Sequence, residues 1–401
     1  MTSMEDRLPT RYWRLWWAGA IDNVGNGAFV TALPLLAVTL TADPRLISMV
    51  AAASFVPWLF FALPAGAIVD RYSRIGLMRT AQVFQAVVVM AVAALITSGA
   101  VDVASLMVAA FLVGVGQVVF GIASQSVMPE IVEHRLLARA NARQYLATTI
   151  GQSFIGPPVG SLLFGLAMAL PFGLDGAALV TSVLLLAKLG GVSRARGTVR
   201  PAGPAVREGL RWLAGHRLLR TLALLLGVNT FCFQLGNVTL VLLATQELGV
   251  TAAGYGVLLA VAAVGSVLGG LLTARLVGVF GQIPVLVAAL GGNAVAFILL
   301  GLSPDMWTLA ALLALSGLVT AAWNVVTITL RQELVPLALL GRVNSVYRLL
   351  GWGLIPLGAL AGGSIAHEIS IRAGYPIAGA LRALALLVSL PLLVRAYRQG
   401  L

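Results

Sequence analysis

Asp22 is the one acid that the apolar runs of this chain put well inside a hydrophobic span. An ionised carboxylate in such a setting is costly, so it must be paired, reached by water or protonated. Asn26 and Phe29 follow at i+4 and i+7, on the same face of a helix. A carboxyl beside an amide and an aromatic ring has the chemistry of a proton carrier, or of a counter-ion to a cation. The alternative is a structural acid hydrogen-bonded to a neighbouring helix.

Other polar residues interrupt the apolar runs: Gln85, Gln117, Asn229, Gln234, Asn237, Asn293 and Asn324. Asn229, Phe233 and Asn237 share one helical face, and Trp323 adjoins Asn324. Amides and aromatics in a mainly apolar wall are the usual build of a small-molecule cavity. The competing role is hydrogen bonding between helices. Enzyme chemistry has no foothold. Cys232 is the single cysteine, and His134, His216 and His367 are too scattered for a metal-ligand spacing. No nucleophile motif or phosphate-binding glycine loop appears, so no enzyme, cofactor or metal is expected.

The elements that position these residues follow from composition. The chain is 59% hydrophobic and only 10% charged, against about 25% charged in soluble domains. Crossing a bilayer takes ~20 apolar residues, and such runs recur at 13–40, 46–69, 76–98, 103–126, 143–168, 172–192, 219–244, 254–276, 283–303, 306–329, 344–366 and 375–396. Backbone in lipid must satisfy its own hydrogen bonds, so these are helices. The expectation is an all-α membrane protein of twelve transmembrane helices. The first run has no cleavage-site pattern after it and is read as a retained helix.

The net charge of +12 suggests a nucleic-acid surface, but its distribution argues otherwise. Walking the loops alternately, one side takes all but Arg45, Arg372 and Arg382 of the 26 basic residues. That asymmetry is the positive-inside pattern of an inner-membrane, multi-pass protein with both termini in the cytoplasm. Asp43, Asp102, Asp175, Glu247, Asp305 and Glu368 fall near the opposite, outer side and read mostly as loop and cap residues.

The chain also repeats itself. Leu136-Leu137-Ala138-Arg139-Ala140-Asn141 is echoed by Leu339-Leu340-Gly341-Arg342-Val343-Asn344, and Gly160-Ser161 by Gly363-Ser364 at the same offset. Gly66 to Arg71 is matched, one position further out, by Gly270 to Arg275. A duplicated half within a very apolar chain points to two pseudo-symmetric six-helix bundles. The expected division is a first bundle at 1–192, a polar linker at 193–217 and a second bundle at 218–401. Within the linker, Arg207 to Leu213 can form an amphipathic helix at the membrane surface; the alternative is an ordinary solvated linker.

Gly66-Ala67-Ile68-Val69-Asp70-Arg71-Tyr72-Ser73-Arg74 resembles the loop signature of the major facilitator superfamily. Gly151 to Ser161 resembles that superfamily's antiporter motif, carried by Gly151, Gly156, Pro157 and Gly160. The stretch from Thr327 through Gln332, Pro336, Arg342, Arg348 and Pro356 to Gly363 is similar to the branch of enterobactin and macrolide exporters. The chain departs from these patterns at Ser73 and Ser161, each a usual glycine, and at Ala274, where the second loop copy has lost its acid.

The resemblance implies the major facilitator fold and a proton-coupled exporter of a small amphipathic or hydrophobic compound, such as a drug, antibiotic or siderophore. Its partners would be that substrate, protons and the lipid bilayer, with no nucleic acid, and the protein would act as a monomer. It further implies a conformational latch of Gly66, Asp70, Arg71, Arg74, Arg139 and Arg342, the alternative being a purely structural loop clamp. The fifth helix, with its glycines, would meet the Gly265, Gly269 and Gly270 face of the eighth. Arg143 and Arg348 either pair with Glu130, Glu133 or Glu333, or snorkel to the interface. The alternatives are an importer or lipid transporter on the same fold, or a non-transporting scaffold or sensor.

Overall fold

A computed structural model describes residues 8–189 and 202–398. Every regular element in it is helical. The chain runs through α1 (Thr10–Leu40), α2 (Pro44–Arg71), α3 (Arg74–Thr97), α4 (Val103–Ile131), α5 (Leu137–Thr148), α6 (Gly156–Leu166) and α7 (Leu170–Ala187). It continues through α8 (Ala202–Gly215), α9 (Arg217–Asn237), α10 (Leu240–Leu242), α11 (Ala252–Phe280) and α12 (Gln282–Gly301). The last four are α13 (Met306–Leu334), α14 (Leu337–Gly353), α15 (Ile355–Glu368) and α16 (Gly374–Arg398).

Eleven helices among the described residues are long and apolar enough to cross a membrane. The remaining expected span, the fifth, is helical but divided. A π-helical turn, Thr149–Ile155, separates α5 from α6, and the Gly156 N–H reaches back five residues to the Gly151 carbonyl. Pro157 and Pro158 follow and supply no backbone donor, which removes the regular bonds this turn would otherwise make. The expected eleventh span carries a slighter break, a single turn residue at Leu354 before Pro356.

Helix ends are set by local chemistry. Asp102 caps α4 by accepting the Ser105 N–H at 2.8 Å, while the Ser105 hydroxyl accepts the Asp102 N–H at 3.1 Å. Asp305 caps α13 by accepting from the N–H groups of Trp307 and Thr308. Bonds from Ser105 hold the Asp102 carboxyl below the usual carboxylate range, and the Thr308 N–H does the same for Asp305. Both acids belong to the group expected to be mostly loop and cap residues. Of the two readings of the polar linker, an amphipathic helix or an ordinary solvated segment, its second part is helical, as α8 over Ala202–Gly215. The expected linker's remainder at 193–201 lies outside the described residues.

The chain divides into two compact units. Unit 1 holds Met1–Thr41, Ala53–Val199 and Thr251–Val257, and unit 2 holds Ala42–Ala52, Arg200–Val250 and Leu258–Leu401. In unit 1, α1 packs on α6 and α7, and α3 packs on α4 and α7. Tyr12, Met78, Val127 and Leu186 fill its core. In unit 2, α12 packs on α13 and α16, and α9 packs on α15 and α16. Leu219, Leu222, Leu286 and Leu330 are buried there. Large apolar side chains point outward, with Leu166 78% and Val388 75% exposed. Such a surface suits lipid and not water.

Candidate functional site

The polar heart of unit 1 lies where α1, α3 and α7 meet. Asp22 of α1 is half-buried and hydrogen-bonds the Gln82 amide of α3. Gln82 is fully buried, and its Nε2 donates to the Ser182 hydroxyl of α7 at 2.8 Å. Gln82 Oε1 accepts no hydrogen bond. Asp175, one turn inside α7, is 3% exposed. A Cβ built on Gly25 of α1 would lie 2.6 Å from Asp175 Oδ1. The absence of a side chain at Gly25 therefore lets this carboxyl press against α1, one turn from Asp22.

The position of Asp175 corrects the expectation that it sits among outer loop and cap residues. The sixth span starts at Leu170-Pro171, so Asp175 falls inside the helix on the face that packs against α1. Asp22 is not the lone intramembrane acid among the described residues.

Further along α1, the Asn26 side-chain oxygen accepts from Gln117 of α4 at 2.5 Å. Two of the expected cavity residues thus meet. Asn23 donates to the Gly19 carbonyl and to Thr148 Oγ1. Phe29 is buried, edge-on to Phe172 at 5.8 Å between centroids, which leaves little of its ring for a ligand.

The antiporter-motif glycines hold this stretch of α1. A Cβ on Gly156 would sit 2.6 Å from the Gly27 Cα, one on Gly160 would sit 2.6 Å from the Ala28 carbonyl oxygen, and one on Gly151 would sit 2.9 Å from Asn23 Cβ. The two backbones touch along the segment that carries Asp22 and Asn26, an approach that only small residues permit. The glycine face of α11 packs elsewhere than expected. Gly265 and Gly269 press on the backbone of Ala314 and Leu318 in α13, and no atom lies near a Cβ on Gly270. Within unit 1, Gly256 packs on Ser161 and the Pro157 carbonyl. Three glycines in helical spacing signal close approach to some helix. They do not say which.

Two of the expected latch residues are engaged locally. Arg74 pairs with Glu130 and donates to the Ser126 carbonyl at 3.1 Å. Arg342 pairs with Glu208 of α8, where Gly209 lies close enough that a Cβ would sit 2.6 Å from the Arg342 carbonyl oxygen. Arg71 and Arg139 are exposed, and Gly66 has open space where a side chain would be. The Asp70 side chain lies outside the described ones. Arg143 lies over the Trp13 ring at 5.0 Å, while Glu130 is taken by Arg74, Glu133 by Arg135, and Glu333 accepts from Gln282.

In unit 2 the structure adds Arg382, which the sequence had grouped with the outer charges. It is 3% exposed inside α16. Its guanidinium donates to the Asn293 side-chain oxygen and to the Asn229 carbonyl, and it stacks over the Phe297 ring at 3.8 Å. Asn293 also donates to Thr320 at 2.9 Å. Charged residues within spans are functional candidates by default, which is the signal that marks Arg382. Phe233 is 43% exposed and Asn324 is exposed, whereas Trp323 is buried in the core. No cluster of metal-ligating side chains occurs among the described residues.

These helices match known proteins along nearly the whole chain. The family described as "Transmembrane secretion effector" matches residues 9–399. The chain belongs to this family. It is a multi-pass membrane transporter of the major facilitator superfamily, of the efflux type, and not an enzyme. The multidrug efflux pump Tap of Mycobacterium tuberculosis, and that of Mycobacterium bovis, are each 26% identical over 368 residues, covering 88% of this chain and 86% of the relative. Among solved structures, the nucleoside transporter NupG superposes with a TM-score of 0.78 at 12% identity, covering 96% and 99% of the two chains. A bacterial homologue of ferroportin, solved facing inward, gives 0.77 at 14% identity, covering 95% and 98%. At these identities the solved structures show the shared fold alone.

Proposed function

We propose that this transporter is a proton-driven exporter of small amphipathic or hydrophobic molecules, such as drugs, antibiotics or siderophores. It sits in the inner membrane of a bacterium with both termini in the cytoplasm. One observation carries the reading. Asp22, a half-buried carboxyl, lies on the α1 segment gripped by the glycines that resemble an antiporter motif. The orientation rests on the asymmetry of basic residues, and the outward direction on the motif and on likeness to a multidrug efflux pump.

The two six-helix halves, 1–192 and 218–401, joined by 193–217, alternate in exposing the substrate site to either side of the membrane. A proton drives export only if proton and substrate favour opposite states. Asp22 gains its proton while open to the outside and loses it to the cytoplasm, and the substrate binds after that loss. Asn26 and Gln117 in the first half, and Asn229, Phe233, Asn237 and Asn324 in the second, make the substrate contacts; Phe29 and Trp323 back them. Gly66, Asp70, Arg71, Arg74, Arg139 and Arg342 form the latch that switches between states.

The test is uptake of ethidium, a macrolide and a catechol siderophore into inside-out vesicles energised by respiration. The expected result is uptake of at least one probe above vesicles lacking the protein, abolished by a protonophore. Uptake that survives the protonophore would overturn proton coupling.

A further inference from the structure

Asp175 presses its carboxyl on Gly25, one turn along α1 from Asp22, and Gln82 bridges Asp22 of α1 and Ser182 of α7. Among the described residues, no cation is hydrogen-bonded or paired to either acid. On α1, Arg11 and Arg14 donate to the Leu189 and Lys188 carbonyls, and Tyr12 donates to the Ala140 carbonyl. On α3, Arg74 is taken by Glu130 of α4, and Arg79, one turn before Gln82, is exposed. On α5, Arg143 stacks on Trp13, while Arg139 and Tyr145 are exposed. The π-helical turn and α6 carry no titratable side chain, and Lys188 lies at the far end of α7 from Asp175.

Two carboxylates so placed cannot both stay ionised, because each burdens the other and neither is paired with a cation. Gln82 supplies a second and independent sign. It is fully buried, its Nε2 donates one N–H to Ser182 and turns the other to Asp22, and its Oε1 accepts nothing. A buried amide oxygen without a donor is costly. A carboxyl O–H beside it is the donor that the site lacks.

We propose that Asp175 is the second half of the proton site: Asp22 and Asp175 hold one exchangeable proton between them, and Gln82 Oε1 accepts the O–H so formed. Asp22, half-buried, is the member that exchanges with water. Asp175, sealed against Gly25, keeps its charge or its proton only in concert with Asp22. On release an O–H bond at Asp22 breaks and the proton passes to water; on reloading the same bond forms again. This rests on the proton-driven reading above and names the second carboxyl in it.

The test reads protonation directly. The full-length protein in lipid nanodiscs is titrated by infrared absorption of the protonated-carboxyl band, with the Asp22→Asn/Asp175→Asn double variant as blank. Wild type is expected to show two steps separated by more than about one pH unit. Asp22→Asn and Asp175→Asn are each expected to show one step, and neither should keep the upper wild-type step. If either single variant keeps that step in place, the carboxyls titrate independently and the proposal fails. Asp175→Ala carries the same expectation and serves if the Asn variant does not fold. Failure of proton coupling itself would appear separately, as protonophore-insensitive export by wild type.

Discussion

Asp175 rests its carboxyl oxygen against the backbone of Gly25, with room for no side chain between them. The contact joins α7 to α1 one turn from Asp22, and it fixes where the two acids stand relative to each other. A methyl at residue 25 would also fall 2.8 Å from Ala178 Cβ. Gly25→Ala is therefore expected to lower stability by about 1–3 kcal/mol through overpacking. Thermal unfolding of the purified protein measures this, and an unchanged midpoint would contradict the contact.

The motif glycines make a sharper contrast. Gly156→Ala must part α6 from α1, because its Cβ would meet the Gly27 Cα, whereas Gly165, on the same helix, faces open space. Gly156→Ala should lose about 1–3 kcal/mol and most transport. Gly165→Ala should stay within about 0.5 kcal/mol of wild type. Equal effects in paired unfolding and transport assays would remove the motif's packing role.

Arg382 depends on Asn293. With that oxygen gone, a buried guanidinium would lose one of its acceptors. Asn293→Leu is expected to cost about 1.5–3 kcal/mol, the range for a hydrogen bond to a charged group. Adding Arg382→Met should recover part of the loss, since the stranded charge is then removed. A double variant less stable than the single one would show that the pair does not act as a unit.

The start of α2 carries a pH-dependent clamp within unit 2. Asp43 accepts the Arg45 N–H at 2.9 Å and faces His367 of α15 at 3.1 Å, while Arg45 pairs with Glu368. The Arg45 N–H, and after it His367, hold the Asp43 carboxyl below its usual range. A carboxyl lowered by folding contributes stability that is present above its unfolded value, and that contribution fades as pH falls through the folded one. Wild type should therefore be more heat-stable than Asp43→Asn at neutral pH, with the gap closing below about pH 4. A gap that is constant with pH would mean the clamp is not ionic.

Much of the fold is legible in the sequence because lipid allows so few solutions. Apolar runs of ~20 residues must be helices, and Asp102 and Asp305 announce the helices they cap. Asn26 and Gln117, singled out as cavity residues, do meet. What resists reading is who faces whom. Asp175 lies only a few residues inside its helix, so a small shift of the boundary turns an outer cap into a buried acid. The same holds for Arg382 in α16, whose partners Asn293 and Asn229 lie on two other helices. Gly265 and Gly269 advertise a flat surface, yet only the tertiary packing assigns it to α13. The Arg342–Glu208 pair depends on where α8 lies, and no local pattern encodes that.

The central claim is that Asp22 carries the proton that drives export. The direct measurement is proton return from acidified inside-out vesicles, followed with a pH-quenched acridine dye as a transported probe is added. Wild type is expected to relieve the quenching as protons leave in exchange for the probe, and Asp22→Asn, present in equal amount and folded, is expected to leave it unchanged. Relief by Asp22→Asn as large as that by wild type would contradict the claim.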